Sequence, residues 1–283
     1  MIQLMNKHEI FEKIASQVAR GELLFPTGAR VALILRRALD DPDCHIDTAA
    51  RLIKAEPLLS ARVIAIANSA AYNHSGREIT DIRVATSLLG FKTIRALAMA
   101  LVTRQMAGNS RVPELLALAN KLWEHSAHVA ALAHAIARHV THLDPETALF
   151  AGIIHEIGGF YMISCADEFP ELLGGDFSEW MEDGEVKVGQ QVLVKLNVPN
   201  SAAEIIETFW SGFLAMPPVT LADTLLLAEQ LAPVPSPLHR WTNEASCSEM
   251  TASIEMVIGE ETLALILSEA AEEIASLTKA LQF

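Results

Sequence analysis

Cysteine is scarce in this chain. Its 283 residues contain three, Cys44, Cys165 and Cys247, widely spaced and odd in number. No CxxC pair occurs, so neither a disulfide framework nor a sulfur-rich zinc site is indicated. Reduced thiols in a cytoplasmic setting are the expectation. Aromatic residues make up only 6% of the chain, and alternating β-branched or aromatic patterns are few, which argues against a strand-rich fold. Long apolar runs are missing as well. Ile94 to Val102 falls well short of the ~20 residues a membrane span needs. The first 25 residues interrupt their apolar positions with Lys7, His8, Glu9, Glu12 and Lys13, an amphipathic helix pattern rather than the apolar core of a signal peptide.

Positive charge is the other shortage, with 21 Lys+Arg against 35 Asp+Glu and a net charge of −14. The imbalance is uneven. Residues 1–105 hold 14 basic and 10 acidic side chains, leaving 7 and 25 for the remainder. A surface this acidic repels phosphate backbones, so nucleic acid is not an expected partner. The contrast also divides the chain into parts with different surfaces.

What is abundant is helix-forming residues. Hydrophobic residues reach 51%, with Ala and Leu prominent, which favours helix. Apolar positions recur at helical spacing from Ile10 to Ala19, from Gly28 to Leu39 and from Pro57 to Ala67. The Asp40-Asp41-Pro42-Asp43 cluster marks a loop. Asp47 is placed to cap a short helix over Thr48–Ala55, and Pro57 suits a first helical position. Thr80 or Asp81 can cap a helix that Gly90 interrupts before it resumes from Phe91 to Met106. That arrangement invites a helix-turn-helix reading, but the second helix, after Thr93 and Arg95, is an apolar run unfit to read bases. Further helices are predicted over Pro113–His142, about Phe177–Met181, Gly189–Leu196, Ser201–Trp210, Leu221–Ala232, Met250–Ile258 and Glu260–Leu281. The last is long enough to pack on the body or to pair with a partner, a second copy included.

Six of the ten histidines lie between His125 and His155. The stretch Leu149–Met162, LFAGIIHEIGGFYM, reads as a helix crossing the middle of a domain, with His155 and Glu156 inside an apolar run. Desolvating two ionisable groups costs several kcal/mol (roughly) unless they are paired or bound. His128 lies one turn from His125 and could share a metal with it. His134, His139 and His142 drift around the helix and read as solvated. Lys54, Arg62, Arg83, Lys92 and Arg95 would make either a basic patch for an anion or ordinary solvated faces.

The strings AEPLLSARVIAIANSAAYN and EITDIRVATSLLGFKTIRALAMAL resemble the N-terminal half of the HDOD domain, a helical module related to the HD metal phosphohydrolases. LWEHS and DPETALFAGIIHEIG resemble its second half, so the likeness runs from about Leu24 to about Ala232. It implies an all-α, multi-helical bundle with an N-terminal helical subdomain (1–108) and a C-terminal HD-like subdomain (109–283). It also implies metal ligands in the order His, His-Asp, Asp. On this sequence those positions are His125, His155, Glu156 and Glu229, with Asp223 a second register for the last. Both aspartates become glutamates, whose extra methylene shifts the oxygens by ~1.5 Å on covalent geometry. Glu185 stands where relatives often have His ahead of Val188-Gly189, and Phe209-Trp210 where they have a His pair. No Gly-Tyr-Pro segment of the cyclic-di-GMP phosphodiesterase branch occurs.

The resemblance therefore implies a degenerate site: a non-catalytic or weakly metal-binding module of bacterial signal transduction, acting through a signalling protein or as a homodimer. A hydrogen-bonded cluster without metal is the structural alternative. The enzymatic alternative is a phosphohydrolase using Mn, Fe, Mg or Zn on a nucleotide or phosphate ester.

Overall fold

A computed structural model describes residues 6–22, 27–69, 72–107, 112–174, 179–212, 215–238 and 254–281. Leu23–Pro26, the start of the helix expected about Phe177, residues 250–253 and Cys247 lie outside the described residues. Every regular element described is helical: α1 (Lys7–Ala19), α2 (Thr27–Leu39), α3 (Ile46–Lys54), α4 (Pro57–Ala67), α5 (Ile82–Ala107), α6 (Pro113–Ile136), α7 (Pro145–Ile154), α8 (Ile157–Cys165), α9 (Val186–Lys195), α10 (Asn200–Trp210), α11 (Leu221–Leu231) and α12 (Glu260–Leu281). π-helical turns at Ala137–Thr141 and Trp180–Glu185 extend α6 and lead into α9.

Local chemistry explains many of the boundaries. Asn6 with Glu9 and Thr220 with Asp223 form reciprocal capping boxes that satisfy the first free amides of α1 and α11. Pro57 sits in the first turn of α4, where Glu56 caps by accepting from the Leu59 amide. Asp81 Oδ1 accepts from the Arg83 and Val84 amides at the start of α5. Asp47 does not cap α3. The N-cap is His45, and Asp47 falls inside the first turn, where its charge still favours the positive helix end. α5 is broken at Gly90, whose φ of 75° only glycine adopts readily.

The core runs along the second half of α5 and along α6. Ala96–Val102 and Val129–Ala133 are buried without a gap. Runs of this kind need protein on every side. α6 meets α7, α11 and α12, while α5 meets α2, α4, α7 and α8. Two stretches, Ile82–Ala107 and Pro145–Cys165, are long and apolar enough to cross a membrane, yet 61% and 94% of their most apolar windows are buried inside the protein. Polar ties join early and late helices. Arg36, buried in α2, donates to the Asn197 carbonyl at 2.8 Å, and Thr93 of α5 donates to Glu146 of α7 at 2.8 Å.

Leu149–Met162 is not one continuous helix. α7 stops at Ile154 and α8 starts at Ile157, with Glu156 at φ −113°, ψ 32°. Just before the break, the packing is tight. α7 presses so closely on α6 that a Cβ on Gly152 would lie 2.4 Å from the Ala130 Cα. Gly152→Ala is therefore expected to lower stability by about 1–3 kcal/mol, the usual cost of overpacking. Urea unfolding of the variant beside the parent measures it.

Candidate metal centre

The helix break turns His155 and Glu156 inward, toward α6 and α11. His125 comes from the middle of α6 and Glu229 from the last turns of α11. The structure thus brings His125, His155, Glu156 and Glu229 together. His125 Nε2 and His155 Nε2 are 3.3 Å apart. Glu229 Oε2 lies 3.1 Å from the first and 3.4 Å from the second. Glu156 Oε2 lies 3.6 and 3.7 Å from the same atoms. Both histidines and Glu156 are 0% exposed, and Glu229 is 5% exposed.

The tautomers follow from the outer nitrogens. His125 Nδ1 is 2.8 Å from the Val234 carbonyl, and His155 Nδ1 is 2.7 Å from the Gly152 carbonyl. A carbonyl only accepts, so each Nδ1 carries a proton. In the neutral rings both Nε2 lone pairs then face one another among carboxylate oxygens. That arrangement calls for a cation, either a proton or a metal ion. The spacing fits a metal. Bonds of about 2.0–2.2 Å to N and O donors put neighbouring donors roughly 3.4 Å apart, and His125 Nε2, His155 Nε2 and Glu229 Oε2 stand 3.1 to 3.4 Å from one another, with Glu156 beside both histidines. Imidazole and carboxylate donors suit Zn, Fe or Mn better than Mg. Despite the extra methylenes of the two glutamates, Glu229 Oε2 and Glu156 Oε2 both lie within 3.7 Å of the histidine Nε2 atoms.

Electrostatics agree. Burial alone would depress the His125 pKa, but Glu229 and Glu156 outweigh it and hold the imidazole at about 9. Burial opposes ionisation of Glu229, yet the adjoining His125 and His155 hold its carboxyl well below the usual range.

Beside the centre, Glu185 accepts from the Gly158 and Gly159 amides at the start of α8, the first at 2.8 Å. Burial and the nearby Glu156 push its carboxyl well above the ordinary value, against the pull of those amides. The residue at a position expected to hold His thus caps a helix with its own carboxyl. Phe209 stacks edge-on against His155, with ring centroids 5.3 Å apart.

Several candidates fall elsewhere. Asp223 is a capping residue, accepting from Ala215, Val219 and Thr220 amides. His128 lines a separate cavity of about 690 Å³ between α6 and α12. His134 is buried, not solvated, and pairs with Glu146 at 3.6 Å. His139 joins Arg138 on Glu269 of α12. The basic residues form no common patch: Arg83, Lys92 and Arg95 pair with Asp47, Asp144 and Asp40 respectively, and Arg62 is buried. Sequence reasoning missed Ser236, whose Oγ donates to Glu156 Oε1 at 2.5 Å. Its only signal was a small polar residue among Pro233, Pro235 and Pro237.

The HDOD domain family model matches residues 25–206. The chain belongs to the HDOD family. No curated protein matches it. Among solved structures it is similar to a "Putative metal-dependent phosphohydrolase" from Shewanella amazonensis SB2B, with a TM-score of 0.70 and 21% identity, over 95% of this chain and 98% of that one. An HDOD domain protein with unknown function from Geobacter sulfurreducens gives 0.65 and 20%, over 97% and 99%. A "Putative signal transduction protein" from Marinobacter aquaeolei VT8 gives 0.60 and 17%, over 100% and 68%. At such identities the likeness speaks for the HDOD fold.

The metal-free protein has a predictable pH response. His125 binds its proton more tightly when folded, so its contribution to stability is complete below 6.5 and is lost as pH rises through about 9. Glu229 has the opposite sign: its contribution is present above 4.5 and is lost in acid. Unfolding midpoints of metal-free protein should fall between pH 7 and 10, less steeply in His125→Gln. Zinc added at pH 7 should displace that proton, releasing about one per ion in a weakly buffered titration.

Proposed function

We propose that this HDOD protein is a regulatory module that holds one divalent cation as part of its core and turns over no substrate. In this reading it works in cytoplasmic signal transduction by binding a protein rather than nucleic acid. The observation that carries the reading is burial. Catalytic zinc sites keep one position open to water or substrate, whereas structural sites are closed by four protein donors. Here His125, His155 and Glu229 converge with Glu156 against both histidines, and none of the four is more than 5% exposed, so burial closes the position a substrate would need. Phe209 packs edge-on against His155, and Glu185 occupies the free amides at the start of α8, so neither is available to an anionic substrate. The name of the Marinobacter neighbour agrees with this reading.

A second reading, a metal-dependent phosphohydrolase, is favoured by the convergence of His125, His155 and Glu229 and by the name of the Shewanella neighbour. Elemental analysis of the purified protein, followed by assays with a phosphodiester and a phosphomonoester in added manganese, separates the two. Bound metal and no hydrolysis above buffer are expected. Hydrolysis that disappears in His155→Ala would establish the enzyme instead. The partner is either another signalling protein or a second copy of the chain, and light scattering across a concentration series distinguishes them.

A further inference from the structure

The segment from Pro233 to Leu238 follows α11 and precedes α12; it is fastened to the candidate metal centre at two points and packs on α8 at a third. The Val234 carbonyl accepts from His125 Nδ1 at 2.8 Å. Ser236 Oγ donates to Glu156 Oε1 at 2.5 Å and accepts from the Leu238 amide at 3.2 Å. The Leu238 side chain fills the space above Gly159, where an added Cβ would lie 2.5 Å from its Cδ1. Ser236 and Leu238 are buried although neither belongs to a helix. Pro233 also lines the cavity whose opposite wall is α12, with Leu267, Ala270 and Ile274.

We propose that residues 233–238 form a metal-responsive strap: occupancy of the centre and docking of this segment are coupled, so that loading the ion tightens the strap and losing it frees the strap. This rests on the metal reading above. The coupling has a physical route. A histidine binds a cation through Nε2 more strongly when Nδ1–H donates to an acceptor, and that acceptor here is the strap's own carbonyl. The Ser236 hydroxyl likewise holds Glu156 with Oε2 toward the centre. By linkage, whatever the strap adds to metal affinity the metal returns to strap docking.

The test uses full-length wild-type protein stripped of metal, with zinc ion as the probe. Hydrogen exchange over peptides covering 230–238 should slow on adding zinc, while peptides from α2 and α3 stay unchanged. Ser236→Ala, confirmed as folded by circular dichroism, should bind zinc roughly 10- to 100-fold more weakly and lose it faster to a chelator, and Leu238→Ala, which removes the packing over Gly159, should shift in the same direction. Zinc that binds wild-type protein without altering exchange in 230–238 would overturn the strap and leave the metal centre standing. Wild-type protein that binds no zinc would overturn both. The wild-type exchange measurement decides the matter even where a variant fails to fold.

Discussion

Two imidazole nitrogens held 3.3 Å apart, both aimed inward at the same point, are the constraint on which the centre of this molecule depends. Neither ring can turn away, because the Val234 and Gly152 carbonyls hold the opposite nitrogens. Two buried carboxylates complete the surround, so the region carries excess negative potential until a proton or metal ion enters. A buried anionic pair without a cation would cost several kcal/mol (roughly). Proton affinity at His125 and metal affinity are two expressions of the same demand, and they compete.

That geometry is assembled by backbone features more than by the ligands themselves. Gly152 lets α7 lie against α6, which sets the distance between His125 and His155 and also supplies the carbonyl that orients His155. The break after Ile154 aims His155 and Glu156 at a common point from consecutive positions, which an unbroken helix would spread by ~100°. The capping box at Thr220 fixes the start of α11 and hence the phase at which Glu229 arrives. A rigid scaffold and a small number of donors form one unit.

Much of this was legible in the sequence. Apolar periodicity and caps located most helices, because burial and free amides impose strict local patterns on α4, α5 and α6. His125, His155, Glu156 and Glu229 were named from a motif and do converge. What stayed hidden depends on contacts between segments distant in the chain. The effect of a longer carboxylate at 156 could not be judged without the break that repositions its Cα. Glu185 read only as a departure from the family's His, since nothing local says that its carboxyl meets amides 26 and 27 residues away. His134 looked solvated because Glu146, its partner, belongs to another helix. Ser236 sat in a stretch whose prolines announce only a loop.

Glu185 has a consequence for the packing around it. The walls around its carboxyl are Gly158, Gly159 and Gly189, where an added Cβ would lie 2.8, 3.4 and 3.1 Å from its carboxylate oxygens. Shortening one side chain would therefore leave a hollow of bare backbone next to Glu156, with two amides pointing into it. Those two buried donors would then lack an acceptor, at a cost of about 1–3 kcal/mol each, so this one carboxyl is what keeps a wall of bare backbone closed.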